Sequence, residues 1–185
     1  MAILPIYTYG TKVLRKKARP VKQVDDEILS LVVNMFDTMR NANGIGLAAT
    51  QVGQLHRVLV IDISDPEEKS DFKPITVINP EVMGADGQWK IEEGCLSIPD
   101  VRDSVERPER ITVRFQDANF KQNTIEVEGL LARVLLHEID HLNGVLFLDH
   151  LTPDQRQMHL DALKKIQRGE MAVEYPVITA ESETK

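Results

Sequence analysis

One segment limits the possible folds of this chain more than any other. Residues 130–142, LLARVLLHEIDHL, form an apolar run that neither Gly nor Pro interrupts, and the pair Asn143-Gly144 that follows is a typical helix stop. Apolar side chains surround HEIDH (137–141) on nearly every side, so the pattern predicts a buried helix. Because buried ionisable groups must be paired or coordinated, the fold has to bring partners to this helix.

The two histidines of HEIDH predict a metal site. Residues one turn apart on a helix lie roughly 6 Å apart along the axis on one face, so the imidazoles of His137 and His141 can bind one ion. Glu138 lies beside that face, where its carboxylate can reach a metal-bound water, as in HExxH metallohydrolases. A charged helix face exposed to solvent is the alternative interpretation, and the apolar neighbours disfavour it.

A catalytic site of this kind needs a third protein ligand. The metzincin pattern H-E-x-x-H-x-x-G-x-x-H puts a histidine where this chain has Phe147, which disfavours that class. A thermolysin-like site would use a later glutamate, either Glu170 or Glu174, and both are near the end of the chain. His150 and His159 lie beyond the helix stop and are expected to be surface histidines.

Cys95 is the favoured third ligand. It is the only cysteine, so it cannot form an internal disulfide, which fits a reducing compartment and predicts a cytoplasmic location. A lone cysteine is usually a buried packing residue. A thiolate is nevertheless a strong ligand for zinc or ferrous iron, and Gly94 allows close backbone approach. Beside a site with two histidines and a missing ligand, we therefore expect Cys95 to bind the metal.

The remaining periodic segments predict an α+β fold. Residues 25–41 form an amphipathic helix with acidic residues at its start, and the glycine-rich segment 44–53 is predicted as a loop. The acidic segment 65–71 is predicted to be an exposed loop between the first two strands. Alternating or β-branched residues predict strands at 58–63, 75–80 (closed by Pro80), 111–117 and 123–129. This order predicts mixed or antiparallel sheets packed around the HEIDH helix, with N-terminal and C-terminal helices.

The C-terminal part predicts one more helix and a tail. Thr152 as N-cap, Pro153 at the first helical position and Gln155 together form a helix start signal. The segment 170–185 is polar and acidic with little periodicity, which predicts a mobile tail. We therefore expect a single catalytic domain at 1–169, in line with the total length of 185 residues.

Composition disfavours several classes of protein. The net charge of −7 argues against a nucleic-acid binder with a basic surface throughout, so no direct DNA binding is expected, and a local basic patch stays open. No stretch of about 18 apolar residues occurs, so no membrane span is expected, and the N-terminus lacks the apolar run of a signal peptide. With 42% hydrophobic and 28% charged residues, the chain has the composition of an ordinary globular protein.

Three motifs together resemble the peptide deformylases. They are GIGLAATQVG (44–53), EGCLSIP (93–99) and HEIDHLNG (137–144), and both their order and their spacing agree with that family. The resemblance extends from Ile3 to about Gly169. It implies hydrolysis of the N-formyl group from the N-terminal formylmethionine of newly synthesised polypeptides, with release of formate.

The resemblance also implies a metal centre and a base. Cys95, His137 and His141 would bind one divalent metal ion with water as the fourth ligand, and Glu138 would be the general base. Fe²⁺ is the ion that the resemblance favours, although one thiolate and two imidazoles also accept Zn²⁺, Co²⁺ or Ni²⁺.

Further residues are implied to bind the substrate. The side-chain amide of Gln51 and the backbone N–H of Leu96 would stabilise negative charge on the former carbonyl oxygen. Gly44 and Gly46, with Ile45 between them, would let the peptide lie against the loop as an added strand. Arg102 would hydrogen-bond the carboxylates of the motifs. A narrow pocket for the methionine side chain would be formed by Ile45, Ile91, Leu130 and Val134. An ordinary place in the core is the alternative for these four.

Two features lie outside the motif pattern. Leu136 stands where the family usually has glutamine, and we expect it to affect packing or hydrogen bonding around the ligands without removing one. Lys164, Lys165 and Arg168 resemble the C-terminal extension by which Gram-negative bacterial members dock on the ribosome. A favourable interaction of these cations with the C-terminal end of their helix is the alternative explanation.

Two other functions stay open from the residues alone. A small HExxH endopeptidase with a glutamate as third ligand would tolerate Cys95→Ser, whereas a site that uses the thiolate would lose or change its metal. A non-enzymatic module with a structural metal would need a fourth protein ligand, for which the sequence offers no obvious candidate. Turnover that survives Glu138→Ala with the metal retained would exclude Glu138 as the base.

Overall fold

The computed structural model describes residues 2–64 and 72–183. Within these ranges the helices are α1 (Asp26–Asn41), α2 (Gly129–Leu142), α3 (Pro153–Met158), α4 (Leu160–Gln167) and α5 (Ala180–Glu183). The strands are β1 (Ile6–Tyr7), β2 (Gly46–Ala48), β3 (Val58–Ile61), β4 (Ile75–Asp86), β5 (Trp89–Cys95), β6 (Ile98–Arg107), β7 (Arg110–Gln116), β8 (Gln122–Glu128) and β9 (Val177–Ile178). The acidic loop predicted at 65–71 lies outside the described residues.

Antiparallel strands and the HEIDH helix form the centre of the molecule. Five strands build one antiparallel sheet in the order β2-β3-β4-β7-β8, and β5 and β6 form a separate hairpin. Consecutive side chains of β3 point to opposite faces: Leu59 packs in a cluster with α2, and Val60 packs in a cluster with α1. A third cluster joins the hairpin to α4, for example through Val105 and Leu163. The predicted α+β fold around the HEIDH helix is confirmed.

The predicted helix signals are confirmed at the helix ends. The Asp25 side chain accepts a hydrogen bond from Ile28 N at 3.0 Å, and α1 begins at the next residue. Helix α2 ends before Gly144, whose φ of 76° lies in the left-handed region that glycine adopts at little cost. Thr152 and Gln155 form the expected capping box at the start of α3.

Two strand predictions needed correction. β4 does not end at Pro80 but continues to Asp86. Its pairing with β7 skips the proline, since the register shifts between Ile78 and Glu81. A register shift accommodates a proline, which has no N–H for the ladder. The glycine-rich segment 44–53 is not all loop, since β2 and a short 3-10 turn lie within it. Strand β2 forms there because it pairs with β3 along its whole length.

The C-terminal helix and the hairpin also differ from the sequence pattern. The single predicted helix is interrupted at His159, whose Nε2 lies 2.8 Å from Asp103 Oδ2 on β6. The hairpin of β5 and β6 is not among the predicted strands. Its alternation is hidden because Glu93 occupies a buried position and the register shifts between Gly94 and Cys95.

The segment predicted as a mobile tail packs against the rest of the chain as far as residue 183. Strand β9 pairs in parallel with β1, and Glu183 Oε2 accepts a hydrogen bond from Lys12 N at 2.9 Å. A strand of two residues has no periodicity to detect, so the sequence contains no signal for this pairing. Within the described ranges, no helix is long and apolar enough to cross a membrane.

Candidate active site and metal centre

The fold brings one cysteine and two histidines together. Cys95 ends β5, while His137 and His141 lie one turn apart on α2. A ligand atom of each of the three lies within 4.8 Å of the others, and Cys95 Sγ is 3.2 Å from His141 Nε2. In the described part of the chain this is the one cluster of histidine, cysteine and acidic residues with such spacing. The alternative ligands Glu170, Glu174, His150 and His159 do not belong to it.

His137 is oriented by a carboxylate behind it. Its Nδ1 lies 2.9 Å from Glu93 Oε2, which leaves Nε2 as the ring nitrogen that can face the cluster. Phe147, at the position where metzincins have their third histidine, stacks on the His137 ring with the centroids 6.4 Å apart. The ring is therefore held from two sides.

The charges of the cluster suit a cation. Burial opposes protonation of His137, but hydrogen bonds with Cys95 and Glu93 outweigh it and raise the pKa of His137 well above its usual range. Burial and the neighbouring His137 lower the pKa of His141 well below its usual range. The cluster thus attracts positive charge at His137, and a divalent ion bound among the three ligand atoms would supply positive charge there. One thiolate and two imidazoles form a ligand set for such an ion, so the residues fit a resident metal.

Glu138 lies next to the cluster and is shielded from solvent. Its side chain is buried, and its Oε2 has no hydrogen-bond partner among the described residues. Burial raises the pKa of this carboxyl to about 7. Gly46 of β2 makes room for it, since a Cβ at Gly46 would lie 2.5 Å from Glu138 Oε1. A carboxyl with a pKa near neutrality can both accept and return a proton.

Two arginines that the sequence does not point to hold Glu93. Arg107 Nε and Arg133 Nη1 lie 2.6 and 2.8 Å from Glu93 Oε1, and all three side chains are buried. Arg107 Nη1 also binds Asp140 Oδ2 of the HEIDH motif at 2.7 Å. The resemblance implies Arg102 for this contact with the motif carboxylates. That expectation is corrected, because Arg102 is exposed at the pocket wall and Arg107 makes the contact.

Gln51 and the turn after Cys95 lie next to the cysteine ligand of the cluster. Gln51 Nε2 lies 3.6 Å from Cys95 Sγ and donates to Ser97 Oγ at 3.2 Å. Gln51 Oε1 accepts from Ala48 N at 2.8 Å, which fixes which end of the amide faces Cys95. Leu96 follows Cys95 in the turn between β5 and β6.

A pocket of about 650 Å³ opens onto these residues. Glu138, His137 and Cys95 line it, and so does every residue that the resemblance implies for substrate binding: Gln51, Leu96, Gly44, Ile45, Gly46, Ile91, Leu130, Val134 and Arg102. Ile45 and Leu130 keep 44% and 45% of their surface exposed, which is more than an ordinary core position allows. Residues 172–175, which have no assigned place in the motif pattern, also line the pocket. Leu136 lies outside the pocket and packs against the apolar cluster around α2.

The fold and the site together define a metal-dependent hydrolase. A family model described as Polypeptide deformylase matches residues 3–157. A peptide deformylase of Chlorobium luteolum is 49% identical over 175 residues, which cover 95% of this chain and 92% of the relative. One from Salinibacter ruber is 43% identical and covers 98% of this chain and 97% of the relative. The chain therefore belongs to the polypeptide deformylase family.

Solved structures agree with this assignment. The crystal structure of a peptide deformylase from Legionella pneumophila superposes with a TM-score of 0.83 at 44% identity, covering 91% of this chain and 98% of that one. A peptide deformylase from Ehrlichia chaffeensis, solved in complex with actinonin, gives a TM-score of 0.83 at 39% identity and covers 93% of this chain and 100% of that one.

Proposed function

We propose that this chain removes the formyl group from the N-terminal formylmethionine of newly synthesised polypeptides by hydrolysis. The observation that carries the proposal is the buried Glu138 carboxyl beside the Cys95, His137 and His141 cluster, in the lining of a pocket of about 650 Å³. Water attacks the formyl carbon, the bond from that carbon to the methionine nitrogen breaks, and the products are formate and a free amino terminus.

The residues have distinct parts in this reaction. Cys95, His137 and His141 hold a divalent metal ion, which acts as a Lewis acid when bound. Glu138 accepts a proton from the attacking water and returns it to the leaving nitrogen. Gln51 donates a hydrogen bond from its side-chain amide to the carbonyl oxygen of the substrate, where negative charge develops. The position of this amide next to Cys95 supports that role.

The substrate is proposed to bind along β2 and the wall facing it. Gly44, Ile45 and Gly46 accept the peptide backbone as an added strand, and the backbone N–H of Leu96 is the second donor to the carbonyl oxygen. Exposed apolar surface at Ile45 and Leu130 supports a site for the methionine side chain. The other apolar residues of that site are Ile91 and Val134. The exposure of Arg102 on the pocket wall supports a contact of this residue with the peptide.

The proposal extends to the metal, the compartment and the ribosome. We propose Fe²⁺ as the physiological ion, with Zn²⁺, Ni²⁺ or Co²⁺ as substitutes, because thiolate and imidazole ligands suit all four. A thiolate ligand also needs a reducing compartment, which supports a cytoplasmic location. Lys164, Lys165 and Arg168 are exposed on and beside α4, where they could contact ribosomal RNA.

Formate release from a formyl-Met tripeptide tests the function. The protein is purified anaerobically, its metal content is measured, and turnover is compared with that of the acetyl-Met tripeptide, whose extra methyl group tests the fit at the reacting carbon. We expect release of formate at a rate typical of enzymes and little hydrolysis of the acetyl peptide. Absence of formate release from protein that holds one metal ion per chain would contradict the proposal.

A further inference from the structure

The C-terminal segment reaches the active-site pocket through Tyr175. This residue lies in the stretch 172–175 that lines the pocket, and its hydroxyl donates a hydrogen bond to the carbonyl oxygen of Leu96 at 2.8 Å. Strand β9 begins just after it and pairs with β1, so the backbone on the C-terminal side of Tyr175 is anchored. The chain end thus delivers one side chain to the turn that follows Cys95.

That turn has little intrinsic preference for its shape. Cys95 pairs with Ile98, so Leu96 and Ser97 are the two central residues of the hairpin loop. Loops of this length favour Gly or Asn with positive φ at one or both central positions. Leu96 and Ser97 both lie outside the residues with positive φ, and the register shifts between Gly94 and Cys95. Contacts from elsewhere in the molecule must therefore hold the turn.

Both central carbonyls of the turn receive such contacts. Tyr9 N donates to the Ser97 carbonyl at 2.8 Å, and Tyr175 donates to that of Leu96. The Leu96 carbonyl is partly buried, and among the described residues the Tyr9 and Tyr175 donors are the hydrogen-bond partners found for the two carbonyls. The contact from Tyr9 uses the backbone, whereas the one from Tyr175 uses a side chain. The Tyr175 contact can therefore be removed by substitution.

We propose that Tyr175 is a positioning residue. By holding the peptide group between Leu96 and Ser97 through the Leu96 carbonyl, it restrains the Leu96 backbone and so keeps the preceding peptide group turned with the Leu96 N–H towards the carbonyl oxygen of the substrate. This inference rests on the proposed function, in which that N–H stabilises negative charge. Burial raises the pKa of Tyr175 to about 12, so the hydroxyl stays protonated and remains a donor at every pH used for an assay.

The test compares Tyr175→Phe with Tyr7→Phe. Tyr7 lies on β1, and its hydroxyl makes no hydrogen bond within the described residues, so it serves as the matched loss of a hydroxyl. Removing one neutral hydrogen bond changes a rate by about fivefold. We expect kcat on the formyl-Met tripeptide to fall by about this factor in Tyr175→Phe, with KM, metal content and melting temperature unchanged. Tyr7→Phe should match the unsubstituted protein.

Hydrogen exchange gives a second readout that does not depend on turnover. The amides of residues 95–98 should exchange faster in Tyr175→Phe, with or without metal, while those of α2 stay as protected as before. An unchanged kcat or unchanged exchange would overturn the inference, and so would a loss of activity that only follows a loss of metal or of melting temperature. Failure of the unsubstituted enzyme to release formate would instead contradict the proposed function, and the exchange measurement would still decide whether Tyr175 holds the turn.

Discussion

Glu138 is the residue on which turnover depends most directly. Its carboxyl is buried, has a pKa of about 7, and has one oxygen with no hydrogen-bond partner among residues 2–64 and 72–183, so it is suited to move a proton at neutral pH. We expect Glu138→Gln to lower kcat by about 100-fold to 10,000-fold because the amide cannot accept the proton. Formate release and metal content are measured on the same samples, with the exposed Glu126→Gln as control. Turnover near the original rate with metal bound would exclude Glu138 as the base.

Substitution of Cys95 distinguishes this site from a metal site that uses a glutamate as its third ligand. A serine hydroxyl stays protonated near neutral pH and binds softer divalent ions poorly, so we expect Cys95→Ser to lose most of its metal during dialysis against a weak chelator. Activity should fall in proportion to the metal lost. Full retention of metal by the serine variant would show that another residue completes the ligand set and would favour the endopeptidase interpretation.

The sequence shows the residues of the metal cluster but not those that support it. His137 and His141 follow from helical spacing, and Cys95 follows from the need for a third ligand. The arginines behind them depend on the fold. Arg102 and Arg107 lie five positions apart on β6, so their side chains point to opposite faces of the strand. Which of the two is buried is decided by where the hairpin packs, and the sequence pattern does not contain that information.

At the scale of elements, one carboxylate joins β5, β6 and α2. Glu93 on β5 binds Arg107 on β6 and both Arg133 and His137 on α2. Breaking a buried ion pair from one side leaves a charge without a partner and costs about 3–5 kcal/mol. We expect Glu93→Gln to lose stability in this range, measured as the free energy of unfolding in denaturant. The exposed Glu92→Gln should be nearly neutral, and an equally small effect of Glu93→Gln would contradict the importance of the network.

The same network predicts how stability depends on pH. Hydrogen bonds and charges from His137 and Arg107 outweigh burial and hold the pKa of Glu93 well below its usual range. A carboxyl with a lowered pKa in the folded state contributes stability above its unfolded pKa and loses it as the pH falls. We expect this contribution to decline below about pH 4, by about 1.4 kcal/mol per pH unit. The difference in unfolding free energy between the original protein and Glu93→Gln should therefore narrow in acid, and parallel pH curves would contradict this.

Helices and strands that are marked by a pattern in their own sequence are predicted well. Those that depend on contacts with residues distant in the sequence are not. Helix α1, Asp26–Asn41, lies within one residue of the segment 25–41 that the apolar stripe and the acidic start predict. Strand β5 lacks such a signal, because a buried carboxylate interrupts the alternation that marks a strand. The break at His159 depends on Asp103 of β6, which is distant in the sequence. Propensity and periodicity depend on residues that are close in the sequence. Contacts between distant residues, such as that of His159 with Asp103, can therefore be seen only in the folded structure.

At the scale of the whole molecule, the first and last strands pair, and the segment that precedes the last strand reaches the pocket. β1 and β9 pair, and the segment between α4 and β9 forms part of the pocket wall. The family model ends at residue 157, so this segment belongs to a part of the chain that the common family pattern does not cover. The order of helices and strands was enough to predict an α+β fold, whereas the place of the chain end could not be predicted from a strand of two residues.

Shortening the chain tests whether residues 1–169 form the catalytic domain. The three motifs, the five-stranded sheet, α1 and α2 all lie within that range, so we expect a chain that ends at residue 169 to fold and to bind metal. Its melting temperature should fall by about 2–4 °C for each kcal/mol that the C-terminal contacts contribute. Its kcat should fall as in Tyr175→Phe, because both changes remove the donor to the Leu96 carbonyl.

A chain that ends at Ile178 is the matched control, because it keeps Tyr175 and β9 but lacks α5. We expect it to retain the original kcat even if its melting temperature falls, which separates the effect on the turn from the effect on stability. Thermal unfolding, metal content and formate release are measured on both shortened proteins. If the chain ending at 169 has the same kcat as the full-length chain, the residues after 169 do not contribute to catalysis. A chain ending at 169 that does not fold would show that the catalytic domain includes the C-terminal segment.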